Sequence, residues 1–361
     1  MMLEVSLSHD FGSFAVDVAF TAPAGVTALF GASGAGKTTV VNAVAGLFRP
    51  VRGRVVAQGE VLLDTERGIA LPARRRRVGY VFQEPRLFPH LSVRSNLLYG
   101  ARFAPTTAAG PGFDQVIAML GIGALLERRP GALSGGEKAR VSIGRALLSK
   151  PRLLLMDEPL AALDAARREE ILPFIERLRD AGLPVLYVSH AIGEVARLAS
   201  TVVLLDAGRV LAAGPAAEVL SDPALAPRLG GTQAGTVLPA TVGETAPDGL
   251  VRLETATGPV WVAEAPGAPG TRLRLRIHAS DVILARDRPE GLSALNILPG
   301  IVERIEPAPG GRAFVRLRMG ADAMLALLTQ RSVAALGLAP GVACHAVLKT
   351  VAVSRDDLGA G

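Results

Sequence analysis

Apolar positions follow two different rhythms along the chain. Up to about residue 230, short unbroken apolar runs alternate with longer stretches of helical period. The runs at 25–30, 78–82, 152–156, 184–189 and 201–205 read as strands buried on both faces. Helical stretches fall at 39–47, 114–120 and 137–149, with another running through Arg167. Residues 3–7 and 14–20 roughly alternate, as half-buried antiparallel strands do, and 51–63 reads as a hairpin with glycines at its bends. Repeated strand–helix alternation predicts an α/β fold, a mainly parallel sheet with helices on both faces. After Pro227-Arg228-Leu229-Gly230-Gly231 the rhythm changes. Short alternating segments at 236–242, 250–254, 260–264, 271–278, 282–285, 300–305, 314–319, 324–328 and 344–353 are parted by glycine and proline. They predict one or two small all-β barrels. The expected domains are 1–230 and 231–361.

Composition narrows the picture without naming a chemistry. At 361 residues, 49% of them apolar, the chain has material for about two cores of ~150 residues each. A net charge of +6 and a pI near 10.0 permit nucleic acid or an anionic membrane surface as partners, and an arginine-rich surface explains them equally well. Arg74, Arg75, Arg76 and Arg77 read as a solvated loop before a strand. One cysteine, Cys344, excludes an intramolecular disulfide and fits a reducing compartment. The beginning of the sequence carries no charged-then-apolar leader. No run reaches the ~18 apolar residues of a membrane span, so a spanning part would belong to another chain.

The chemistry begins at Gly31, Ala32, Ser33, Gly34, Ala35, Gly36, Lys37 and Thr38, which fit G-x-x-x-x-G-K-[ST] between a strand and a helix. The glycines let successive N–H groups turn inward on phosphate oxygens, Lys37 adds charge, and Thr38 offers a hydroxyl to Mg²⁺. Upstream, Phe11 can stack on a base or simply flank a turn. Gln83 ends one apolar run, where a polar amide can reach a metal or an attacking water. Asp157 and Glu158 end another; the first suits Mg²⁺, the second a catalytic base. His190 ends a third and can donate a hydrogen bond to a terminal phosphate. His90 stands alone and reads as a surface or packing histidine. Asp164 suits a helix cap. Leu133, Ser134, Gly135, Gly136 and Glu137 make a second anion cradle before a helix. One nucleotide does not easily use both cradles of one molecule, so the second would close over the nucleotide of a partner copy.

Taken in order, these elements resemble the nucleotide-binding subunit of an ABC transporter over about residues 1–230. The resemblance implies an ATPase with ATP and Mg²⁺. Residues 31–38 with Thr39 would hold the phosphates, Phe11 (with Phe14 close by) the base, and Thr38, Gln83 and Asp157 the metal. Glu158, His190, Gln83 and Lys37 would serve catalysis, and Ser134, Gly135, Gly136 and Asp164 a head-to-tail ATP sandwich between two copies. The sequence departs at Ala139, where the family often has Gln, and at Ala161-Ala162, where Ser-Ala is commoner. Region 84–96 corresponds to the surface that meets an integral membrane permease. The implied place is the cytoplasmic face of the inner membrane, as a peripheral protein.

The remainder is similar to TOBE/Mop domains of importer ATPases, with a Mop-like unit at about 291–355. Ser293, Ala294, Leu295 and Asn296 stand for its Ser-Ala-Arg-Asn element, and Lys349 opens the counterpart of its Lys-Ala-Ser-Ser-Val segment. Hydroxyl, amide and ammonium groups suit a tetrahedral oxyanion, so Ser293, Asn296 and Lys349 are the candidates. Leu295 replaces the arginine, and Val351-Ala352 replace the serine pair; a purely structural barrel is the other reading. The whole chain most resembles molybdate-importer ATPases, energising uptake of molybdate or tungstate, with a periplasmic or extracellular oxyanion-binding protein as an indirect partner. Open alternatives are import of sulfate, iron, polyamine or sugar, or a soluble ABC ATPase on nucleic acid. A single ATPase unit without a long coiled-coil insertion speaks against nucleic acid.

Overall fold

The computed structural model describes residues 2–102, 104, 108, 110–161, 163–180, 182–354 and 357–360. Ala162 and residues 105–107 and 109 of the expected connector lie outside them. The chain divides into two compact units, Met1–His190 with Leu198–Ala213, and Ala191–Arg197 with Gly214–Gly361.

An eleven-stranded sheet organises the first unit. One arm is antiparallel: Ile69–Ala70, Glu60–Asp64, Arg52–Ala57, Leu3–Asp10 and Ala15–Ala22 lie side by side in that order. The order continues through Arg209–Pro215, Thr201–Asp206, Val26–Phe30, Val185–Ser189, Leu153–Asp157 and Val78–Val81. From Thr201–Asp206 onward these strands run parallel. The sheet is therefore mixed rather than mainly parallel, because the N-terminal hairpins join the same ladder as the strand–helix repeats.

Two-residue alternation splits the buried strands between two cores. Leu153 and Leu155 pack with Val40 and Val44 of the helix Lys37–Ala45. Leu154 and Met156 face Val141, Ile143 and Leu147 of the helix Gly135–Leu148, with Ile171 and Ile175 of Ala165–Asp180.

Helix limits shift from the sequence expectation at their ends. The first runs Lys37–Ala45 rather than 39–47, because Gly46 takes a left-handed φ of 80° and closes it. The helix expected at 137–149 begins at Gly135, capped by Ser134.

The second unit holds two five-stranded sheets. One runs Gly258–Val262, Val251–Thr255, Gly235–Thr245, Arg272–His278 and Leu358–Ala360. The other runs Ile283–Ala285, Ala343–Leu348, Asn296–Ala308, Arg312–Met319 and Asp322–Thr329. Leu238, Leu253, Leu275, Val315, Leu317 and Ala346 share their core. The strand expected at 344–353 stops at Leu348, and Thr350–Ala352 forms a 3₁₀ turn.

Candidate active site

Four parallel strands carry the site on their carboxyl ends: Val26–Phe30, Val185–Ser189, Leu153–Asp157 and Val78–Val81. Open α/β sheets bind ligands at such an edge. Gly31 leaves the first of them. A Cβ there would lie 2.3 Å from the Leu205 carbonyl oxygen, so the position excludes any side chain. Gly36, at φ 97°, is the N-cap of Lys37–Ala45. The N–H groups of that helix start have no intrahelical acceptors and favour an anion. Ala32, Ser33, Gly34 and Thr38 are exposed, and Thr39 is half-buried. Lys37 is buried, and its Nζ donates to the carbonyls of Gly31 and Ala32 at 2.7 and 2.9 Å. Burial pulls its ammonium below the usual lysine range, against the attraction of Glu158 and Asp157.

Asp157 is buried and held on both sides. Thr38 Oγ1 donates to Oδ1 at 3.4 Å, and the Tyr80 phenol donates to Oδ2 at 3.2 Å. Burial pushes the Asp157 carboxyl up, and the bonds from Tyr80 and Thr38 draw it part of the way back. Burial, with the neighbouring carboxylate, also pushes the Tyr80 phenol well up, so it stays a donor. Hydroxyl and carboxylate oxygens are the hard ligands that Mg²⁺ takes, so the Thr38–Asp157 pair fits that ion.

Glu158 sits one residue past the strand at φ 46°, a left-handed backbone that a glutamate adopts only under constraint. Its N–H donates to Val188 O at 3.0 Å, which ties the bend to the next strand. Oε1 lies 3.3 Å from His190 Nδ1. The structure thus joins two residues that lie 32 positions apart in sequence (190 − 158) at adjacent strand ends. Gln83 lies exposed beyond Val78–Val81.

The Leu133–Glu137 segment is a capping box. Ser134 Oγ accepts from Glu137 N at 3.3 Å, and Ser134 N donates to Glu137 Oε2 at 2.7 Å. That backbone bond holds the Glu137 carboxyl below its usual range. Accepting leaves the Ser134 hydroxyl proton available to a phosphate oxygen. Gly135 and Gly136 pack near Leu163 and Arg167. Asp164 caps the helix Ala165–Asp180 through Arg167 N at 2.9 Å.

Phe11 and Phe14 have different surroundings. Phe14 is wedged at the P-loop, its ring 3.2 Å from where a Cβ on Gly36 or Gly208 would stand. Phe11 is 47% exposed and belongs to a ring cluster with His9 (4.3 Å between centroids) and Phe48 (5.5 Å).

The oxyanion candidates of the second unit are not alike. Ser293 and Lys349 are exposed. Asn296 is buried, with its amide spent on the backbone of Trp261: Oδ1 accepts from Trp261 N at 2.7 Å and Nδ2 donates to Trp261 O at 2.9 Å. Asn296 pairs with Leu348 across the sheet, which brings the 293–296 segment beside Lys349. Thr350 Oγ1 is buried there with no hydrogen-bond partner among the described residues.

Three contributors escaped the sequence reading. Tyr80 and Asn42 sit inside apolar segments and looked like packing, although a hydroxyl in an otherwise apolar strand was a usable sign. Arg76 is not solvated like Arg74 and Arg75 of its run. It is 3% exposed and donates to the carbonyls of Leu71, Ala43 and Val44, capping the carboxyl end of the P-loop helix.

Residues 16–161 match the ABC transporter family and residues 292–354 the TOBE domain. The molybdenum import ATP-binding protein ModC of Rhizobium etli is 53% identical over 98% of this chain and 99% of its own length. That of Paramagnetospirillum magneticum is 47% identical over 99% of both chains. ModC 1 of Azotobacter vinelandii is 50% identical over 95% of this chain and 96% of its own. Among solved structures, the ADP conformation of an ATP-binding cassette of an ABC transporter superposes with a TM-score of 0.54 at 25% identity, over 64% of this chain and 98% of that one. A dimeric post-hydrolysis ATP-binding cassette bound to ADP and Pi gives 0.50 at 25%, over 60% and 99%. With half of its residues shared over nearly its full length, this chain belongs to the molybdenum import ATP-binding protein family of ABC transporter ATPases.

Proposed function

We propose that this chain hydrolyses ATP to drive import of molybdate, or its congener tungstate, through a separate membrane permease. The observation that carries the reading is the convergence of Lys37, Thr38, Asp157, Glu158 and His190 on one sheet edge, in a chain similar end to end to molybdenum importers. Phosphoryl transfer asks for positioning and charge stabilisation more than covalent chemistry. The loop 31–38 and Thr39 hold the phosphates, with Lys37 turning its ammonium from the loop carbonyls to phosphate oxygens. Glu158 accepts a proton from the attacking water, and His190 fixes that carboxylate and faces the terminal phosphate. Gln83 joins from the neighbouring strand end. Thr38 and Asp157, with Gln83, would hold Mg²⁺, which would neutralise phosphate charge. Exposure favours Phe11 over the wedged Phe14 as the ring that stacks on the base.

Ser134, Gly135, Gly136 and Asp164 act in trans, closing over the nucleotide of a second copy. Region 84–96 meets the permease, which places the chain on the cytoplasmic face of the membrane; no helix among the described residues is long and apolar enough to cross it. Residues 1–230 form the ATPase, and 231–361 sense oxyanion through Ser293 and Lys349. Asn296 shapes that site from beneath, since its amide is engaged by Trp261.

The test is uptake of labelled molybdate by cells lacking their own importer ATPase and supplied with this chain and its permease. Wild type restores uptake that unlabelled tungstate competes for, whereas Glu158→Gln restores none and its purified form holds ATP as a dimer. Turnover near wild type in Glu158→Gln, or uptake of sulfate in place of molybdate, overturns the reading.

A further inference from the structure

Asp157 does not hold its own side chain in place. Two hydroxyls do, and the Tyr80 bond is the shorter of the two, 3.2 Å against 3.4 Å from Thr38. Tyr80 Oη also lies 3.1 Å from Asn42 Oδ1, on the helix Lys37–Ala45. A phenol has one proton and cannot donate in both directions. The carboxylate takes it, because a charged acceptor makes the stronger bond, and Asn42 Oδ1 is left as the weaker, competing acceptor. The ring is fixed as well: Tyr80 and Phe82 stack at 4.0 Å between centroids and 16° between planes. Arg86 covers Phe82 at 4.4 Å.

We propose that Tyr80 is a positioning residue for the metal ligand Asp157. Its phenol, donating to the carboxylate, pins Asp157 Oδ2 and thereby turns Asp157 Oδ1 toward Thr38. The proposal rests on the reading of Asp157 as a Mg²⁺ ligand given above. It ties three elements, the strand Val78–Val81, the strand Leu153–Asp157 and the P-loop helix, through one hydroxyl. Outer groups that orient a ligating carboxylate commonly change metal affinity by about 10–100-fold when removed.

Tyr80→Phe removes one oxygen and keeps the ring and its stack on Phe82. The full chain is titrated with Mn²⁺ in the presence of ATP, and bound metal is followed by electron paramagnetic resonance. ATP affinity is measured separately in EDTA by displacement of a fluorescent nucleotide. Asp157→Asn runs alongside. Tyr80→Phe is expected to weaken Mn²⁺ binding by about tenfold, to leave metal-free ATP affinity unchanged, and to raise the Mg²⁺ needed for half-maximal turnover by the same factor. Mn²⁺ affinity within twofold of wild type in Tyr80→Phe, beside its loss in Asp157→Asn, refutes the role of Tyr80 and leaves the site intact. Undiminished Mn²⁺ binding in Asp157→Asn refutes the metal reading, and the inference falls with it. An equal loss of metal-free ATP affinity in Tyr80→Phe marks general damage to the P-loop and also overturns the proposal.

Discussion

Replacing Arg76 by methionine tests how the P-loop helix is closed. The guanidinium donates from Nε to Leu71 O at 2.8 Å and from Nη1 to Ala43 O and Val44 O at 2.7 and 2.9 Å. Ala43 O keeps a second donor in Gly46 N at 3.2 Å, so the substitution orphans chiefly Val44 O and Leu71 O. An orphaned buried carbonyl costs about 1–3 kcal/mol, which gives roughly 2–6 kcal/mol for the pair. Part of that is offset, because the guanidinium is itself desolvated; burial draws its pKa down. Methionine fills much of the same volume, so the packing penalty is small. The expected net loss is about 3 kcal/mol. Arg76→Lys, with its charge but without the planar fork, should lose about half as much. Urea unfolding followed by far-UV circular dichroism reads the difference, since the long helices Gly135–Leu148 and Ala165–Asp180 belong to the same unit. A loss below about 1 kcal/mol for Arg76→Met would refute the argument and mean that water re-solvates those carbonyls.

Other expectations follow from single contacts. Gly31→Ala should abolish ATP binding or prevent folding, because its Cβ meets the Leu205 carbonyl at 2.3 Å; a folded variant with wild-type ATP affinity contradicts this. Asn296→Ala should cost about 2 kcal/mol by stranding Trp261 N–H and C=O; Trp261, the chain's one tryptophan, reports that transition by its fluorescence. Burial alone would raise Asp357, yet bonds from His278 and Ser354 bring its carboxyl below the usual range. A depressed folded pKa contributes stability above the unfolded value, lost as pH falls through the folded one. Asp357→Asn should therefore destabilise the second unit at pH 7, and the gap should close only as pH falls through the depressed folded value, below the ordinary carboxylate range of about 4. A gap that does not narrow at all between pH 7 and about pH 2 would count against those bonds.

The local signals in this sequence come from residues whose chemistry and backbone demands are visible at short range. Gly31, Gly34, Gly36, Lys37 and Thr38 announce a phosphate loop because their spacing is the loop. Asp157 and Glu158 stand out because two acids follow an apolar run. The capping box at Ser134 and the cap at Asp164 are likewise contacts within three residues. What tertiary structure decided is pairing over long separations. Whether the N-terminal hairpins formed a separate sheet or joined the parallel strands depended on strand order, and they joined. Burial rather than composition separates Arg76 from Arg74 and Arg75, because only its position reaches the helix end. Asn296 looked like a free amide until Trp261 arrived from 35 residues away. Tyr80 looked like core, since nothing local places Asp157, 77 residues on, at its hydroxyl. Short-range rules fix which groups a segment offers, and only packing decides which of those groups are already spent.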